Sequence, residues 1–445
     1  MDSSPPADPN EEEFLAEELI DAWHILSAEE RVEGFRILPR ADAEEVFFTL
    51  TARDQYELIE GLPAGDRRSW LRLLPPDDAA DLLQEAEPEE RETLQALLDA
   101  QTRKEVAALL AYAEDEAGGL MSPRYVRVRP DMTVDEAISY LRKQANERVE
   151  TLAYAYVCDA RQNLLGVVSF RDLFAAHQGE LVRAVMTSSL VTVRDTDDQE
   201  TVSRVFALHD LVAIPVVDAE GHMKGVVTVD DIVQVVQEEA TEDAQKFGGM
   251  EALDAPYLDN SVAQMVRKRG GWLSILLVGE MLTTTAMSHF EAEIARAVVL
   301  TLFMPLIMSS GGNSGSQAST LMVRALALGD VKLRDWFRVV RRELLVSFFL
   351  GLLLAGIAFV RIMIWHYAFH TYGPHGPILG LTVGMSLIGV VMFGSISGSL
   401  LPFVLRRFGL DPASASAPAV ATLVDVTGLV IYFSVASFIL RGILL

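Results

Sequence analysis

One carboxylate interrupts a long apolar segment near the C-terminal end of the chain. The stretch Asp411–Phe433, DPASASAPAVATLVDVTGLVIYF, begins with small and polar residues and becomes an apolar run that continues through Leu440. Asp425 lies inside this run. A carboxylate within a membrane helix costs a few kcal/mol and usually faces a water-filled path or a partner group. We therefore predict that Asp425 meets water or another polar group inside a membrane.

A second apolar segment, residues 296–328, is also interrupted by polar side chains. Its centre reads MSSGGNSGSQAST, directly after Pro305. Polar or irregular backbone at membrane depth is tolerated only where it lines a cavity or is buried in protein. Small residues also let helices approach closely, so tight packing is the alternative interpretation. We expect the more polar members of this stretch to line a path: Asn313, Ser314, Ser316, Gln317 and Thr320. A further carboxylate, Glu280, lies in the apolar segment before it and could face a headgroup, another helix or the path.

Acidic residues are concentrated around residues 195–243. Glu239, Glu242 and Asp243 are spaced three and four apart and so share one helical face. Two carboxylates about 4 Å apart repel by roughly 4 kcal/mol at an effective dielectric of 20. A divalent cation would remove this repulsion, and oxygen ligands favour hard ions such as Mg²⁺ or Ca²⁺ over Zn²⁺. A solvated acidic surface is the alternative.

The elements that carry these acids belong to an internal repeat. The segment 120–176 matches the segment 185–236 in order and spacing, from MSP and MTS through GVVSFRD and GVVTVDD. The repeat resembles a tandem of CBS domains, which are regulatory α/β modules that pair into one disc. The resemblance implies that a nucleotide such as ATP could contact Ser169, Asp172, Thr228 and Asp231. Ser or Thr before Asp is also ordinary helix capping, which is the alternative interpretation.

Composition separates the chain of 445 residues into an acidic part and a membrane part. Residues 1–260 hold 55 acidic and 23 basic residues, whereas residues 261–445 hold 8 and 14. Such an acidic surface excludes nucleic acid as a partner, because nucleic acid requires a basic footprint. The lone cysteine, Cys158, lies in an apolar run and is predicted to pack in a core. The N-terminus lacks a basic segment followed by an apolar one, so we expect no signal peptide.

The order of elements predicts a multidomain protein. Recurring Leu-Pro pairs, such as Leu38-Pro39 and Leu62-Pro63, indicate short stacked helices before the repeat. The predicted domains are a disordered tail (1–13), an all-α superhelical N-domain (14–117), two CBS domains (118–179 and 180–243), a linker or plug helix region (244–270) and an α-helical membrane domain (271–445). Within the linker region, residues 254–266 are predicted to form a short amphipathic helix.

Five hydrophobic segments are long enough to cross a membrane: residues 271–288, 296–328, 343–365, 377–405 and 415–440. Basic residues precede the first, separate the second from the third, and separate the fourth from the fifth. The positive-inside rule then puts residues 1–266 in the cytoplasm and the C-terminus outside. Arg296 and Arg361 count mildly against this orientation.

The two membrane motifs, GGNSGSQAST and DPASASAPAVATLVDVTG, together with EEATED and the domain order, are similar to the MgtE family of bacterial magnesium channels and transporters. The resemblance implies a homodimer in the inner membrane, with the second and fifth helices lining a pore on the two-fold axis. It implies that Asp425 binds hydrated Mg²⁺ from both subunits, with backbone carbonyls near Ala421, and it adds Asn313 and Thr320 as pore residues. It also implies closure of the pore by cytosolic Mg²⁺. The sensor residues so implied are Asp198, Glu200, Asp210, Asp231, Glu239, Glu242, Asp243 and, in the N-domain, Asp77 and Asp81.

The chain departs from the family pattern at Ser316 and Ala417, where some members have Asn, and at Glu280, where a small residue is usual. These departures concern auxiliary pore ligands and the ion preference. The alternative function is a CBS-regulated permease for another solute, such as Co²⁺ or Mn²⁺; an acidic path argues against anions. An intramembrane enzyme is disfavoured because the membrane half has no HExxH motif and no cluster of His and carboxylate residues.

Overall fold

The structure is a computed structural model, and it describes residues 16–144, 153–253, 255–258 and 260–444. The predicted disordered tail, residues 1–13, lies outside the described residues. The chain divides into two compact units, residues 1–236 and residues 237–445. We describe each unit by itself.

The first unit opens with eight short helices that form the N-domain. Alternate helices pack on one another most extensively, namely α1 on α3, α2 on α4, α4 on α6 and α6 on α8, which builds the predicted superhelical stack. The helices are α1 (Ala16–Ala22), α2 (Ala28–Ile37), α3 (Arg40–Thr49), α4 (Ala52–Gly61), α5 (Ala64–Leu71), α6 (Pro76–Glu85), α7 (Pro88–Leu97) and α8 (Ala100–Leu109). The Leu-Pro pairs mark their starts, because proline fits the first helical turn and the preceding residue is held extended.

Two copies of one αβ arrangement follow, as the repeat predicts. In each, a two-residue strand runs parallel to a central strand, which pairs antiparallel with the third strand. The elements are α9 (Ala117–Leu120), β1 (Arg127–Val128), α10 (Val134–Gln144), β2 (Tyr154–Cys158), β3 (Leu164–Ser169), α11 (Phe170–Ala175), α12 (Val182–Val185), β4 (Val193–Arg194), α13 (Gln199–His209), β5 (Ala213–Val217), β6 (Met223–Thr228) and α14 (Val229–Phe247). Strands β1 and β4 are shorter than the alternating patterns predict, since only two residues of each pair with a neighbour.

The two repeats exchange backbone hydrogen bonds reciprocally. Ser122, at the start of the first repeat, pairs with Val226 in β6 through N–H···O bonds of 2.8 and 2.9 Å. Thr187, at the start of the second, pairs with Val167 in β3 through bonds of 2.8 and 3.0 Å. Each repeat therefore completes the sheet of the other, and the two form one module.

Cys158 lies in the core of this module with 1% of its surface exposed. Burial raises the pKa of its thiol to about 11, so it is an inert packing residue. The prediction that Cys158 packs in a core is confirmed.

The second unit contains the membrane helices. Its elements after α14 are α15 (Val262–His289), α16 (Glu291–Arg296), a 3₁₀ turn (Val298–Phe303), α17 (Met304–Ala327), α18 (Trp336–Phe369), α19 (Gly376–Arg407) and α20 (Ala417–Ile439). Three helical stretches in the described part of the chain are long and apolar enough to cross a membrane: Leu333–Phe369, Gly373–Arg407 and Ala417–Ile439. Helices α15 and α17 are less apolar than these three: Glu280 and three threonines interrupt the apolar part of α15, and the polar stretch interrupts α17. The count of five spans thus stays a prediction.

Two boundaries differ from the sequence-based expectation. The amphipathic linker helix predicted for residues 254–266 is no separate helix: residue 254 lies outside the described residues, and a helix that starts at Val262 continues unbroken to His289. The Ser261–Gln264 capping box starts this helix, and Gly270 and Gly271 lie within it without ending it. The long second segment divides into a 3₁₀ turn and α17, with Pro305 in the first turn of α17.

Candidate functional site

Helix α20 carries Asp425 in its third turn, where the side chain is half-buried. The helix begins at Ser416, whose hydroxyl accepts a hydrogen bond from Ala419 N, and Pro418 lies in the first turn. It packs against α15, α17 and α19. The neighbours of Asp425 on two of these helices decide what kind of site it can form.

Helices α17 and α20 run antiparallel and touch through small residues. A Cβ atom at Gly312 would lie 3.5 Å from Ala421 Cβ, so the two backbones are close at this point. Ser316 Oγ donates to Ala417 O at 3.4 Å, one turn further along. Ser319 Oγ donates to Ala415 O at 2.8 Å. Ala421 therefore lies at the α17–α20 contact, one turn before Asp425.

The polar stretch on α17 has two faces. Some of its residues pack tightly between helices, and others lie on an exposed face where they could line a path. One face is buried on α19, where Ser314 Oγ and Ser395 Oγ are 2.6 Å apart. The opposite face is exposed and carries polar residues at helical spacing: Ser309, Asn313, Gln317 and Thr320. Ser314, expected in the path, instead packs between helices because it lies on the buried face. Asn313 and Thr320 lie on the exposed polar face, and Ser316 at its edge.

Glu280 lies on the part of α15 that accompanies α20. Helices α15 and α20 run side by side in the same direction. Their contacts include a hydrogen bond of 3.2 Å from Trp272 Nε1 to Ser416 Oγ, the approach of Gly279 to Thr422, and the stacked rings of Phe290 and Phe433. Glu280 follows Gly279 directly, and its charge acts on Asp425. Of the three surroundings considered for Glu280, namely a headgroup, another helix and the path, the structure favours a position beside another helix, α20, which carries Asp425.

A second group of acids joins the N-domain to the second CBS repeat. Asp77, in the first turn of α6, is 5% exposed and accepts a hydrogen bond from Ser122 Oγ at 3.3 Å. Burial raises the pKa of Asp78 to about 6, with further repulsion from Asp231 and Asp230. Burial also raises the pKa of Asp231, although the hydrogen bond from Thr228 opposes this. Carboxylates that are hard to ionise together are suited to sharing a cation.

Asp78 was missed from the predicted sensor residues, although the charge of the predicted sensor residue Asp231 acts on it. A run of Asp77, Asp78 and Asp81 on a short helix is the only signal in the sequence, and it does not tell which member is turned towards another domain. Asp81 lies one helical turn from Asp77 and is half-buried.

The remaining predicted sensor acids do not form one cluster. Asp198 caps the N-terminus of α13 and accepts a hydrogen bond from Glu200 N at 2.9 Å, while Asp210 ends the same helix in the left-handed conformation with φ 49°. Glu200 lies 3.6 Å from Arg204. An 11-residue helix is about 16 Å long, so Asp198 and Asp210 cannot share one ion. Glu239, Glu242 and Asp243 lie on α14, where Lys246 contacts Glu242.

The two Ser/Thr–Asp pairs of the repeat differ in exposure. Ser169 Oγ lies 2.6 Å from Asp172 Oδ2, and Thr228 Oγ1 lies 2.7 Å from Asp231 Oδ2, so both pairs cap helices as the alternative predicts. Asp172 is exposed to solvent, whereas Thr228 is 4% exposed and Asp231 is half-buried, with its charge acting on Asp78 of α6. The first pair is therefore the more accessible to a nucleotide.

A group of metal-ligand type that the sequence did not suggest lies in the β5–β6 turn. Asp218, Glu220 and His222 have ligand atoms within 4.8 Å of one another. The geometry has a simpler explanation: Asp218 accepts hydrogen bonds from the backbone of the turn and pairs with Lys224 Nζ at 3.3 Å. The turn is held by a salt bridge, which disfavours a cation.

Family models match along most of the chain. The model for the divalent cation transporter MgtE matches residues 304–435, that for the MgtE intracellular N domain matches residues 16–115, and that for the CBS domain matches residues 117–179 and 182–238.

Individual relatives agree with these matches. The magnesium transporter MgtE of Thermus thermophilus is 43% identical over 339 residues, which are 76% of this chain and 73% of the relative. That of Enterococcus faecalis is 32% identical over 337 residues, 76% of this chain and 72% of the relative. Among solved structures, the cytosolic domain of the Mg²⁺ channel MgtE in complex with ATP is 43% identical, covers 50% of this chain and 91% of its own, and has a TM-score of 0.47.

Proposed function

Because the chain belongs to the MgtE family of magnesium transporters, we propose that it carries Mg²⁺ through the cell membrane along a path at Asp425. The observation that supports this most is the half-buried carboxylate of Asp425 on an apolar helix, one turn from the close contact of Ala421 with α17. Mg²⁺ keeps most of its water when proteins bind it. A single carboxylate with backbone oxygens nearby therefore suffices to hold the hydrated ion.

A homodimer completes this path. The exposed face of α17, with Asn313, Gln317 and Thr320, would meet lipid if the chain acted alone. Amide and hydroxyl groups in lipid lack partners, and such residues normally face protein or water. A second copy related by a two-fold axis would turn both polar faces and both Asp425 carboxylates towards one water-filled channel.

The orientation follows from the basic residues. Arg267, Lys268 and Arg269 precede the membrane part, and further basic residues lie between α17 and α18 and between α19 and α20. The positive-inside rule puts the N-terminal domains in the cytoplasm and the C-terminus outside the inner membrane. The acidic sites then face the compartment into which Mg²⁺ is delivered.

Cytosolic Mg²⁺ closes the path in this proposal. Asp231 and Asp230 repel the buried carboxylate of Asp78, and a divalent cation would relieve that repulsion. The sensor set is Asp77, Asp78 and Asp81 in the N-domain, Asp198, Glu200, Asp210 and Asp231 in the second repeat, and Glu239, Glu242 and Asp243 on α14. When Mg²⁺ falls, the acids repel and the path opens.

A nucleotide such as ATP would bind the CBS pair at Ser169 and Asp172. The exposed Asp172 carboxylate can accept hydrogen bonds from a ribose, whereas Thr228 is buried and the charge of Asp231 acts on Asp78. The second pair is thus assigned to the sensor and the first to the nucleotide.

Transport of Co²⁺ or Mn²⁺ is the competing function. Co²⁺ binds nitrogen ligands more strongly than Mg²⁺ does, so a path with oxygen ligands alone disfavours Co²⁺, whereas such ligands suit both Mg²⁺ and Mn²⁺. Ala417 supplies no side-chain oxygen where some members of the family have Asn, which weakens ligation of any dehydrated ion.

Growth of a bacterium that lacks Mg²⁺ uptake tests the path. Wild type should restore growth in low Mg²⁺, and Asp425→Ala and Asp425→Asn should not, because the ion loses its charged ligand. The control Asp330→Asn changes an exposed acid after α17 and should restore growth. Rescue by Asp425→Ala as strong as by wild type would overturn the path, and uptake of Co²⁺ or Mn²⁺ by wild type without growth in low Mg²⁺ would favour the competing function.

A further inference from the structure

Lys246 forms two salt bridges that connect the acidic helix α14 to the segment ahead of α20. Its Nζ atom lies 2.8 Å from Asp411 Oδ2 and also contacts Glu242 Oε1. The ammonium group thus pairs with one carboxylate on α14 and one ahead of α20.

A second contact joins the same two parts of the second unit. Gly249 lies in the turn after α14 with φ 76°, and a Cβ atom there would lie 2.8 Å from the Trp272 ring and 3.2 Å from Pro418 Cγ. Trp272 in turn donates a hydrogen bond to Ser416, the cap of α20. The end of α14 thus touches the start of α20 through two separate contacts.

The segment that receives these contacts is also held by α17. Asp411 uses Oδ1 to accept a hydrogen bond from Ala413 N at 2.8 Å, which leaves Oδ2 for Lys246. On the other side, Ser319 binds the carbonyl of Ala415. Residues 411–418 therefore contact both α14 and α17, so a shift of α14 would displace this segment.

We propose that Lys246 couples the sensor to the path: by pairing Glu242 on α14 with Asp411, it transmits movement of α14 to the start of α20 and so to Asp425. The proposal rests on the proposed function, since it assigns the connection between the sensor acids and the transport site. Lys246 is a positioning residue and touches no transported ion. Asp425 lies eight positions after Ala417 on one continuous helix, so displacement of the α20 start displaces the carboxylate.

Charge variants in the full-length chain test the coupling. Currents are measured in membrane patches while Mg²⁺ on the cytoplasmic side is varied. Lys246→Gln and Asp411→Asn should each raise the half-inhibiting Mg²⁺ concentration by about tenfold, and the double variant by no more than either one, because they break the same link. Lys246→Arg keeps the charge and should stay near wild type. The control Lys104→Gln, at an exposed lysine of α8, should leave inhibition unchanged.

The exchange Lys246→Glu/Asp411→Lys separates coupling from cation binding at Asp411. A lysine at position 411 cannot bind Mg²⁺ but can pair with Glu242 and the new glutamate, so inhibition should return to within about threefold of wild type. An exchange variant no better than the single variants, or single variants inhibited like wild type, would overturn the proposal.

The contact itself has a readout that needs no transport. The pair Lys246→Cys/Asp411→Cys in the full-length chain should be joined within one chain by a short thiol-bridging reagent. The control pair Thr371→Cys/Asp411→Cys should not be joined, because the 32-residue helix α19, about 48 Å long, lies between these positions. Cys158 is buried and should not react. Absence of the cross-link would overturn the coupling alone. Absence of Mg²⁺ current from wild type, with the cross-link formed, would overturn the proposed function and leave the contact standing.

Discussion

At the scale of single residues, burial decides which acids matter. Asp425, Asp78 and Asp231 are held where water cannot fully solvate their charge, whereas Asp172 and Asp66 are exposed. Residue type alone does not distinguish these two groups. Buried carboxylates acquire a cost that a cation can remove, and exposed ones do not.

The first prediction concerns Asp78. Its pKa is raised to about 6, so its protonated form is favoured by folding; this stabilisation is complete below about pH 4 and is lost as the pH rises through 6. Asp78→Asn should therefore stabilise the chain at pH 7.5 in EDTA by about 1–3 kcal/mol and flatten the fall in stability between pH 4 and 6. Thermal unfolding of the full-length chain in detergent measures both effects.

Asp66→Asn, at an exposed acid on α5, is the matched control for Asp78 and should change neither quantity. Added Mg²⁺ should stabilise wild type more than Asp78→Asn, because the variant has one repelling charge fewer. Equal stabilisation of the two proteins by Mg²⁺ would show that Asp78 takes no part in the cation site.

At the scale of elements, small residues set how closely the membrane helices approach. Gly394 and Gly398 of α19 lie directly against the backbone carbonyls of Gly311 and Gly315 of α17. Ser314 and Ser395 hydrogen-bond across the same contact. The pattern of small residues predicted packing, and the polar residues predicted a path; the structure assigns them to opposite faces of α17. The sequence alone does not show which face of α17 is turned towards its neighbours, so it cannot separate the packing residues from the path residues.

The second prediction uses this contact. Gly398→Ala places a methyl group against the carbonyl oxygen of Gly315, so α17 and α19 must separate. We expect a loss of about 1–3 kcal/mol of stability and a lower temperature of unfolding in detergent. Gly356→Ala on α18 is the control: a Cβ there meets no atom within 4 Å, and alanine is the better helix former. A drop in stability for Gly356→Ala as large as for Gly398→Ala would contradict the packing argument.

Helix and strand types were predictable because their periodicities are strong. The Leu-Pro pairs located the N-domain helices, and the repeat located the paired strands and the helices that follow them. The continuous α15 was not predicted, since the basic cluster at Arg267 and the glycines Gly270 and Gly271 resemble a boundary. Capping by Ser261 and Gln264 shows where the helix begins, which a composition change does not reveal.

At the scale of the whole molecule, charge is distributed very unevenly. Residues 1–260 carry 55 acidic and 23 basic residues, while residues 261–445 carry a small excess of basic ones. From the sequence alone we predicted that residues 1–260 form the acidic part and residues 261–445 the membrane part. It did not predict the pairing of Lys246 with Asp411, because the two residues are 165 positions apart and only the fold brings them together.

The third prediction concerns removal of Mg²⁺ from the full-length chain. Without the cation, repulsion among the sensor acids should loosen the cytoplasmic part, so proteolysis between residues 110 and 260 should speed up in EDTA and slow again with millimolar Mg²⁺. Raising NaCl to the same ionic strength is the control; it screens charges beyond a Debye length of about 8 Å but cannot bridge buried carboxylates. Equal protection by NaCl would mean that general screening, and no specific site, holds the domains.

The reciprocal pairing of Ser122 with Val226 and of Thr187 with Val167 has a consequence for synthesis on the ribosome. The module cannot complete its two sheets until β6 has been made. A segment of the first repeat pairs with β6 of the second, and a segment of the second repeat pairs with β3 of the first. The N-domain helices depend on near neighbours and can fold during translation, whereas the module must wait for long-range contacts. Its closure thus comes just before α15 is translated, and the regulatory part is assembled as the chain begins to enter the membrane.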